Sequence, residues 1–134
     1  MSLLIVRQQL EQALDAITPK IDTAWENVFY VPTKGVPFQR VQLFYGEPEN
    51  PTMDGFYRDV GFLQSTLYYP LQSGPGDAIT RAQLLRTTFY RGRSFVSGKV
   101  TTIIKGAAQR LPSIVEDDRF LVPVRVPFFA NVLP

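Results

Sequence analysis

The chain contains neither cysteine nor histidine among its 134 residues. The absence of cysteine excludes a disulfide scaffold, thiolate catalysis and cysteine-ligated zinc. The absence of histidine removes the side chain that most often transfers protons at neutral pH, and it excludes Ser-His and Cys-His nucleophile pairs. The sequence therefore favours a binding or structural role over an enzymatic one, and we expect no cofactor and no metal.

Long apolar runs are absent too, since none approaches the roughly 20 residues that cross a bilayer. The opening MSLLIVRQQLEQAL lacks the basic start and the small-residue cleavage site of a signal peptide. We expect no membrane partner and folding in the cytoplasm. A composition of 45% hydrophobic and 19% charged residues is ordinary for a globular protein. The length predicts one domain that spans residues 1–134.

Charge is distributed unevenly although the net charge is only +2. Residues 76–110 carry seven Lys or Arg and one acid, Asp77, so this window is +6 and the remainder is −4. Such a basic half suggests an acidic partner surface or a polyanion, and two ordinary solvated faces are the alternative. The candidate basic residues, facing a partner or DNA, are Arg81, Arg86, Arg91, Arg93 and Lys99.

Two segments have helical periodicity. Residues 2–18 place apolar side chains on one stripe and end before Pro19. Residues 77–90 form the second predicted helix. Arg81 and Arg86 border its apolar stripe, so we expect their stems to cover the core and their head groups to reach solvent.

Two aromatic-rich strands are predicted at 38–45 and 57–69, on either side of a loop rich in Gly, Pro and acids. Gly61 indicates a bulge or a close approach of two backbones. Both faces of these strands carry apolar groups, which implies cover on each side. A helix could cover one face and a neighbouring subunit the other.

The C-terminal part predicts strands at 99–104 and 120–129, separated by a loop at 106–118. Pro123 and Pro127 each lack a backbone donor, which suggests that the last strand lies at a sheet edge. The predicted class is α+β, with an antiparallel or mixed sheet of about four or more strands packed against two helices. The element order is α-β-β-α-β-β.

Two chemical alternatives concern charged segments. Glu47, Glu49 and Asp54 share one loop, but no apolar pocket is predicted around them, so we interpret them as solvated rather than catalytic or metal-binding. Nucleic-acid binding has some support because aromatic and basic side chains alternate late in the chain. The residues concerned are Phe89, Tyr90, Arg91, Arg93, Phe95 and Lys99.

An ordered series of segments extends over nearly the whole chain: TPKIDTAWENV at 18–28, VPFQRVQLFYGEPENPT at 36–52, GFLQSTLYYPLQSGPG at 61–76, FYRGRSF at 89–95 and FLVPVRVPF at 120–128. In this series the chain resembles the phage tail terminator-like family, which comprises minor tail proteins of long-tailed phages and prophages. The central strand, Gly-Glu-Pro loop and strand contribute most to the resemblance, and residues 106–118 contribute least.

The resemblance implies a structural virion protein with a sheet flanked by helices. It implies a homo-oligomeric ring, hexameric in the family, that caps the tail tube, ends its polymerisation and provides the surface for head–tail joining. The implied partners are other copies of the chain, the tail tube protein and a head-completion or connector protein, with nonspecific DNA passage through the lumen. We expect an interface at Glu47, Glu49, Asp54, Phe56 and Tyr57. Alternatives are a head-completion adaptor and, more remotely, a small nucleic-acid-binding domain.

Overall fold

The computed structural model describes residues 2–72, 74–116 and 118–134. They form two helices and one curled sheet of eight strands, which confirms the α+β class. The elements in chain order are α1 Ser2–Asp15, β1 Asp22–Ala24, β2 Phe38–Tyr45, β3 Tyr57–Pro70, α2 Gly76–Thr88, β4 Ser94–Ser97, β5 Val100–Ile104, β6 Gln109–Arg110, β7 Ile114–Glu116 and β8 Arg119–Val132.

The sheet has the strand order β1-β2-β3-β8-β5-β4, and β6 and β7 also pair with β8. The β1–β2 pair is parallel and the other pairs are antiparallel, so the sheet is mixed as predicted. Its centre is the pairing of β3 with β8, which runs without interruption for 14 residues from Tyr57↔Val132 to Pro70↔Arg119. Within the described residues, β1 and β4 are the two ends of this strand order.

Both helices pack on the same face of the sheet. Each helix has an apolar stripe with helical spacing, and this stripe packs against alternate residues of β3 and β8. Burying one such Leu or Val stabilises the fold by about 1.5–3 kcal/mol. The helix side chains at this interface are Val6, Leu10, Leu14, Ala78, Ala82 and Leu85. Among the described residues, neither helix is long and apolar enough to cross a bilayer.

The predicted element order matches the structure only in part. Four short strands, β1, β4, β6 and β7, were not predicted, and two of them lie in the segment 106–118 that the sequence suggests is a loop. Strands of two to four residues are too short to show a period of two, so pairing rather than pattern defines them. Helix α1 ends at Asp15, three residues before the predicted end.

The prediction that the last strand lies at an edge is wrong, because β8 has neighbours on both sides. The carbonyl of Pro123 accepts from Leu111 N and that of Pro127 from Lys105 N, each at 2.9 Å. In an antiparallel strand the N–H and C=O of one residue point to the same side, so both missing donors point toward β5, β6 and β7. Pro127 lies where pairing passes from β5 to β6, and Pro123 where it passes from β6 to β7. The prolines therefore mark breaks in the neighbouring strands.

Candidate assembly surfaces

The acidic loop, residues 46–56, leaves the sheet between β2 and β3 and is exposed except at Phe56. Glu49 and Arg58 exchange two backbone hydrogen bonds of 2.8 Å, and Glu49 Oε1 lies 3.6 Å from Arg58 Nη1. This bridge ties the loop to the start of β3. The Glu47 carboxylate has no ion pair within the described part of the chain.

A turn centred on Asp54 orders the tip of the loop. Asp54 Oδ1 accepts hydrogen bonds from the Thr52 hydroxyl and from Phe56 N, the latter at 3.2 Å. These bonds, first that of Thr52, lower the pKa of Asp54 below its usual value, so the carboxylate stays charged. Met53 beside it is fully exposed. The tip thus presents an apolar side chain next to a fixed negative charge.

The two aromatic residues of the predicted interface behave differently from its acids. Phe56 is half-buried, and Tyr57 packs against the helix-covered core. The Tyr57 hydroxyl lies 2.9 Å from Ser2 Oγ. The structure therefore presents Glu47, Glu49 and Asp54 to solvent, while Tyr57 joins β3 to the start of α1.

Arg81 does not lie on the surface. It is only 3% exposed, and its Nη1 donates to the carbonyl of Pro19. Its Nε has no hydrogen-bond partner among the described residues, and burial lowers its pKa, an effect that the nearby Tyr69 phenol partly offsets. The expectation that its head group reaches solvent is wrong, because α2 turns this face toward the segment that follows α1.

The other predicted basic residues differ in how firmly they are held. Arg86 Nε donates to the Ala108 carbonyl at 2.8 Å. Arg93 is half-buried, donates from Nη1 to the Thr88 carbonyl at 2.5 Å and has its guanidinium 4.7 Å from the Phe95 ring centre. Residues Arg91 and Lys99 are exposed. They have no ion pair in the part of the chain that the structure describes.

The exposed basic residues frame an apolar edge, which we call the basic hairpin: Tyr90, Arg91, Val96 and Lys99, in and around β4. Val96 is 68% and Tyr90 57% exposed. In an antiparallel pair, the backbone N–H and C=O groups of successive residues point alternately toward the partner strand and away from it. Those of Phe95 and Ser97 point toward β5, so those of Ser94 and Val96 point away from the sheet. An apolar edge strand of this kind offers a template for another chain.

A buried glutamine, which the sequence reasoning missed, fixes the basic hairpin to α1. Gln9 Nε2 donates to the Phe95 carbonyl at 3.2 Å and to Ser97 Oγ at 3.0 Å. Gln9 Oε1 accepts from Thr102 Oγ1 at 2.6 Å. The only signal in the sequence is a polar residue beside the apolar stripe of the first helix. These bonds hold the hairpin in one position relative to the core.

Among the described residues, no other element covers the sheet face opposite the helices except near the start of β2. Phe44 and Phe62 stack on this face with ring centres 4.8 Å apart. The guanidinium of Arg125 lies 4.6 Å from the Phe62 ring centre, and its Nε donates to Gln64 Oε1 at 2.9 Å. Cover of this face by a neighbouring subunit stays a prediction.

The arm, residues 25–37, connects β1 to β2, and its later part lies against the open-face side chains at the start of β2, where the Tyr30 and Phe38 ring centres are 5.1 Å apart. Arg119 anchors it by donating from Nη1 to Val36 O and from Nη2 to Thr33 O, both at 2.7 Å. Phe29 on the arm is 90% exposed. The VFYV run at 28–31 is the signal of this exposed apolar surface in the sequence.

Chemistry-bearing clusters are scarce in the described residues. No group of three acids there could hold a metal ion. The most enclosed isolated acid is Asp59, which is 6% exposed and whose Oδ2 has no hydrogen-bond partner among those residues. Burial raises its pKa. Asp59 lies on the core face opposite Ala130, so we interpret it as part of the packing.

The comparisons with known proteins agree with this architecture. A family model described as phage tail terminator protein matches residues 5–128. No curated protein matches significantly. One similar solved structure, which has no descriptive name, superposes with a TM-score of 0.78 at 21% identity and covers 100% of this chain and 99% of its own. At that identity, the superposition supports the fold alone.

Proposed function

Because the chain belongs to the phage tail terminator protein family, a family of structural tail proteins, we propose that it forms a ring that caps the tail tube. The ring contains six copies, ends tube polymerisation and provides the surface to which the head joins. Residues 1–134 act as one tail terminator domain. The match over residues 5–128, which confirms the resemblance found in the sequence, is the observation that carries this proposal.

The surfaces of the described chain support assembly with copies of itself. The sheet has an uncovered face and two end strands, β1 and β4, and exposed apolar side chains lie near both ends. Ring closure requires two different patches on each subunit that meet head to tail. A chain with different exposed surfaces at the two ends of its sheet meets that requirement.

The ring acts as a component of the virion tail at the head–tail junction, after synthesis in the bacterial cytoplasm. Its partners are the tail tube protein on one side and a head-completion or connector protein on the other. It works through binding, without catalysis, cofactor or membrane contact. DNA that passes the lumen would make only nonspecific, salt-sensitive contacts.

Microscopy and light scattering test this proposal directly. The purified protein is analysed alone and with purified tail tubes, and we expect six-membered rings in solution or on tube ends. Tube growth should stop when the protein is present in excess. A monodisperse monomer at high concentration that also leaves tube ends bare and growing would refute the proposal.

Separate pull-downs with tail tubes and with head connectors distinguish the adaptor alternative. A terminator binds tubes in the absence of heads. A protein that binds only the connector side is a head-completion adaptor instead. DNA affinity that falls steeply with salt, without binding to either virion component, would favour the nucleic-acid-binding alternative.

A further inference from the structure

Two surfaces of this chain have opposite charge. The acidic loop contains Glu47, Glu49 and Asp54 and no Lys or Arg. The sequence from 78 to 115, which includes the basic hairpin, contains no acid at all. No ion pair or hydrogen bond joins these two surfaces in the described part of the chain.

Most of these charged side chains form no ion pair within the described part of one copy. The loop forms a single ion pair with the rest of the described chain, between Glu49 and Arg58. This pair is partly exposed, and its Oε1 and Nη1 atoms are 3.6 Å apart. Arg91 and Lys99 on the hairpin have none. Opposite charges of this kind steer two surfaces together and exclude wrong partners.

Each charged surface also has an exposed apolar centre. On the loop this is Met53, which is fully exposed beside Asp54. On the hairpin it is Val96, which is 68% exposed. Methionine adapts to irregular surfaces, and an apolar centre inside a charged rim is the usual anatomy of a protein interface.

The two surfaces lie at the same end of the sheet but on different strands, since Tyr57 pairs with Val132 and Val132 pairs with Val100, the residue after Lys99. The bridge between Glu49 and Arg58 ties the loop to β3, and β8 and β5 separate β3 from β4 in the sheet. Three strand spacings amount to about 14 Å. Two unlike patches on one chain produce a head-to-tail contact, in which each copy gives its loop to one neighbour and receives the loop of another.

We infer that the acidic loop of one copy docks on the basic hairpin of a second copy. Met53 packs against Val96, and the carboxylates of Glu47 and Glu49 face Arg91 and Lys99. This inference rests on the proposed self-assembly and specifies its contact surface. The hairpin is suited to receive the loop because Gln9 already holds it in place, which reduces the ordering cost of association.

A charge-reversal experiment tests this contact. One variant reverses the loop (Glu47→Lys with Glu49→Lys), and the other reverses the hairpin (Arg91→Glu with Lys99→Glu). Asp54 is left intact because it orders the loop tip. Each variant alone should self-associate at least about tenfold more weakly than wild type in sedimentation velocity, since like charges then face each other.

Mixing the two variants provides the decisive measurement. The reversed loop of one variant is complementary to the reversed hairpin of the other, and their unmodified surfaces are complementary too. The equimolar mixture should therefore recover assemblies in which the two variants alternate, with nearly wild-type affinity at low salt. High salt should weaken the wild-type and the mixed assemblies alike.

The matched controls are Glu116→Lys and Lys34→Glu, which reverse exposed charges outside both surfaces. Both controls should assemble like wild type, and circular dichroism should show that every variant is folded. All variants are measured alone and on tail tubes.

The outcomes separate this inference from the proposed function. If wild type forms rings but the loop and hairpin variants form them equally well, the contact is overturned and the ring remains. If wild type forms no ring in solution or on tubes, the proposed function fails and the contact fails with it. If hairpin reversal abolishes tube binding without affecting self-association, the hairpin binds the tube and the inference is overturned.

Discussion

Gly61 in β3 lies so close to β2 that a Cβ atom on it would be 2.0 Å from the carbonyl oxygen of Phe44. Real Cβ atoms do not approach backbone oxygens so closely, so only glycine fits there without a shift of one strand. The sequence interpretation of Gly61 as a bulge or close approach is confirmed as a close approach. It lies between Tyr45 and Phe128 on the core face, where the Tyr45 ring meets the Phe128 ring edge-on at 5.9 Å.

The substitution Gly61→Ala should lower the free energy of unfolding by about 3 kcal/mol, because a methyl group there forces β2 and β3 apart. Urea unfolding followed by tryptophan fluorescence measures the effect. Gly106→Ala is the matched control, since its added Cβ would meet only Pro127 Cγ at 3.8 Å. Equal stability of the two variants would contradict the close approach.

Arg119 should hold the arm on the open face of the sheet. Arg119→Lys loses the two directed hydrogen bonds to Thr33 and Val36, at a cost of about 1.5–3 kcal/mol. We expect faster amide exchange across 33–36 and faster tryptic cleavage after Lys34. The control is Arg40→Lys, an exposed arginine whose guanidinium lies 5.9 Å from the Tyr68 ring centre and forms no side-chain hydrogen bond or ion pair with the described residues. Unchanged exchange in the Arg119 variant would mean that the arm is held by other contacts.

Arg81 and Arg91 should differ in their effect on stability although the sequence groups them in one basic surface. Arg81→Ala should lower the free energy of unfolding by about 2 kcal/mol, because buried stem packing and the bond to Pro19 are lost. Arg81→Met keeps most of the packing and should lose less. Arg91→Ala on the exposed surface should stay within about 0.5 kcal/mol of wild type. Thermal unfolding of the three variants measures the difference, and a harmless Arg81→Ala would contradict the burial of this side chain.

Asp59 should make stability depend on pH. Burial raises its pKa in the folded state, so the folded chain holds this proton more tightly than the unfolded chain does. The stability that the protonated form contributes is complete below the unfolded pKa of about 3.9 and is lost as pH rises through the higher folded value. Asp59→Asn should therefore be more stable than wild type at pH 7.

Urea unfolding as a function of pH measures this effect, and the advantage of Asp59→Asn should disappear in acid below the unfolded pKa. The control is Asp118→Asn, which alters an exposed carboxylate. If Asp59→Asn is no more stable than wild type at pH 7, the buried carboxylate has a partner that offsets its burial.

Periodicity and turn residues were enough to predict the long elements. Both helices and the strands β2, β3, β5 and β8 follow from apolar spacing, since each is long enough to repeat its pattern. The short strands could not be predicted in this way, because two to four residues hold no period. For the same reason, the last strand was wrongly predicted to lie at a sheet edge. Its two prolines are tolerated inside the sheet because the neighbouring strands are interrupted beside them.

The sequence predicted which charged residues belong to the candidate surfaces, but it did not predict which of them are exposed to solvent. The acids of the 46–56 loop and the basic residues after α2 are visible in the sequence, and the loop acids are exposed in the structure. The sequence could not separate Arg81 from Arg91, because the separation depends on the segment that crosses α2. It could not find Gln9 or Arg119 either, since their hydrogen-bond partners lie more than 80 residues away along the chain.

The sequence by itself determined the family, the α+β class, the long helices and strands, and the segregation of charge into an acidic loop and a basic stretch. Those properties are local, or additive along the chain, and residue order records them. Only the tertiary structure decided which charges face solvent, which strand is central and which edge is free. These properties depend on contacts between residues that are far apart in the sequence. Such contacts form only when the sheet assembles and the helices cover one of its faces.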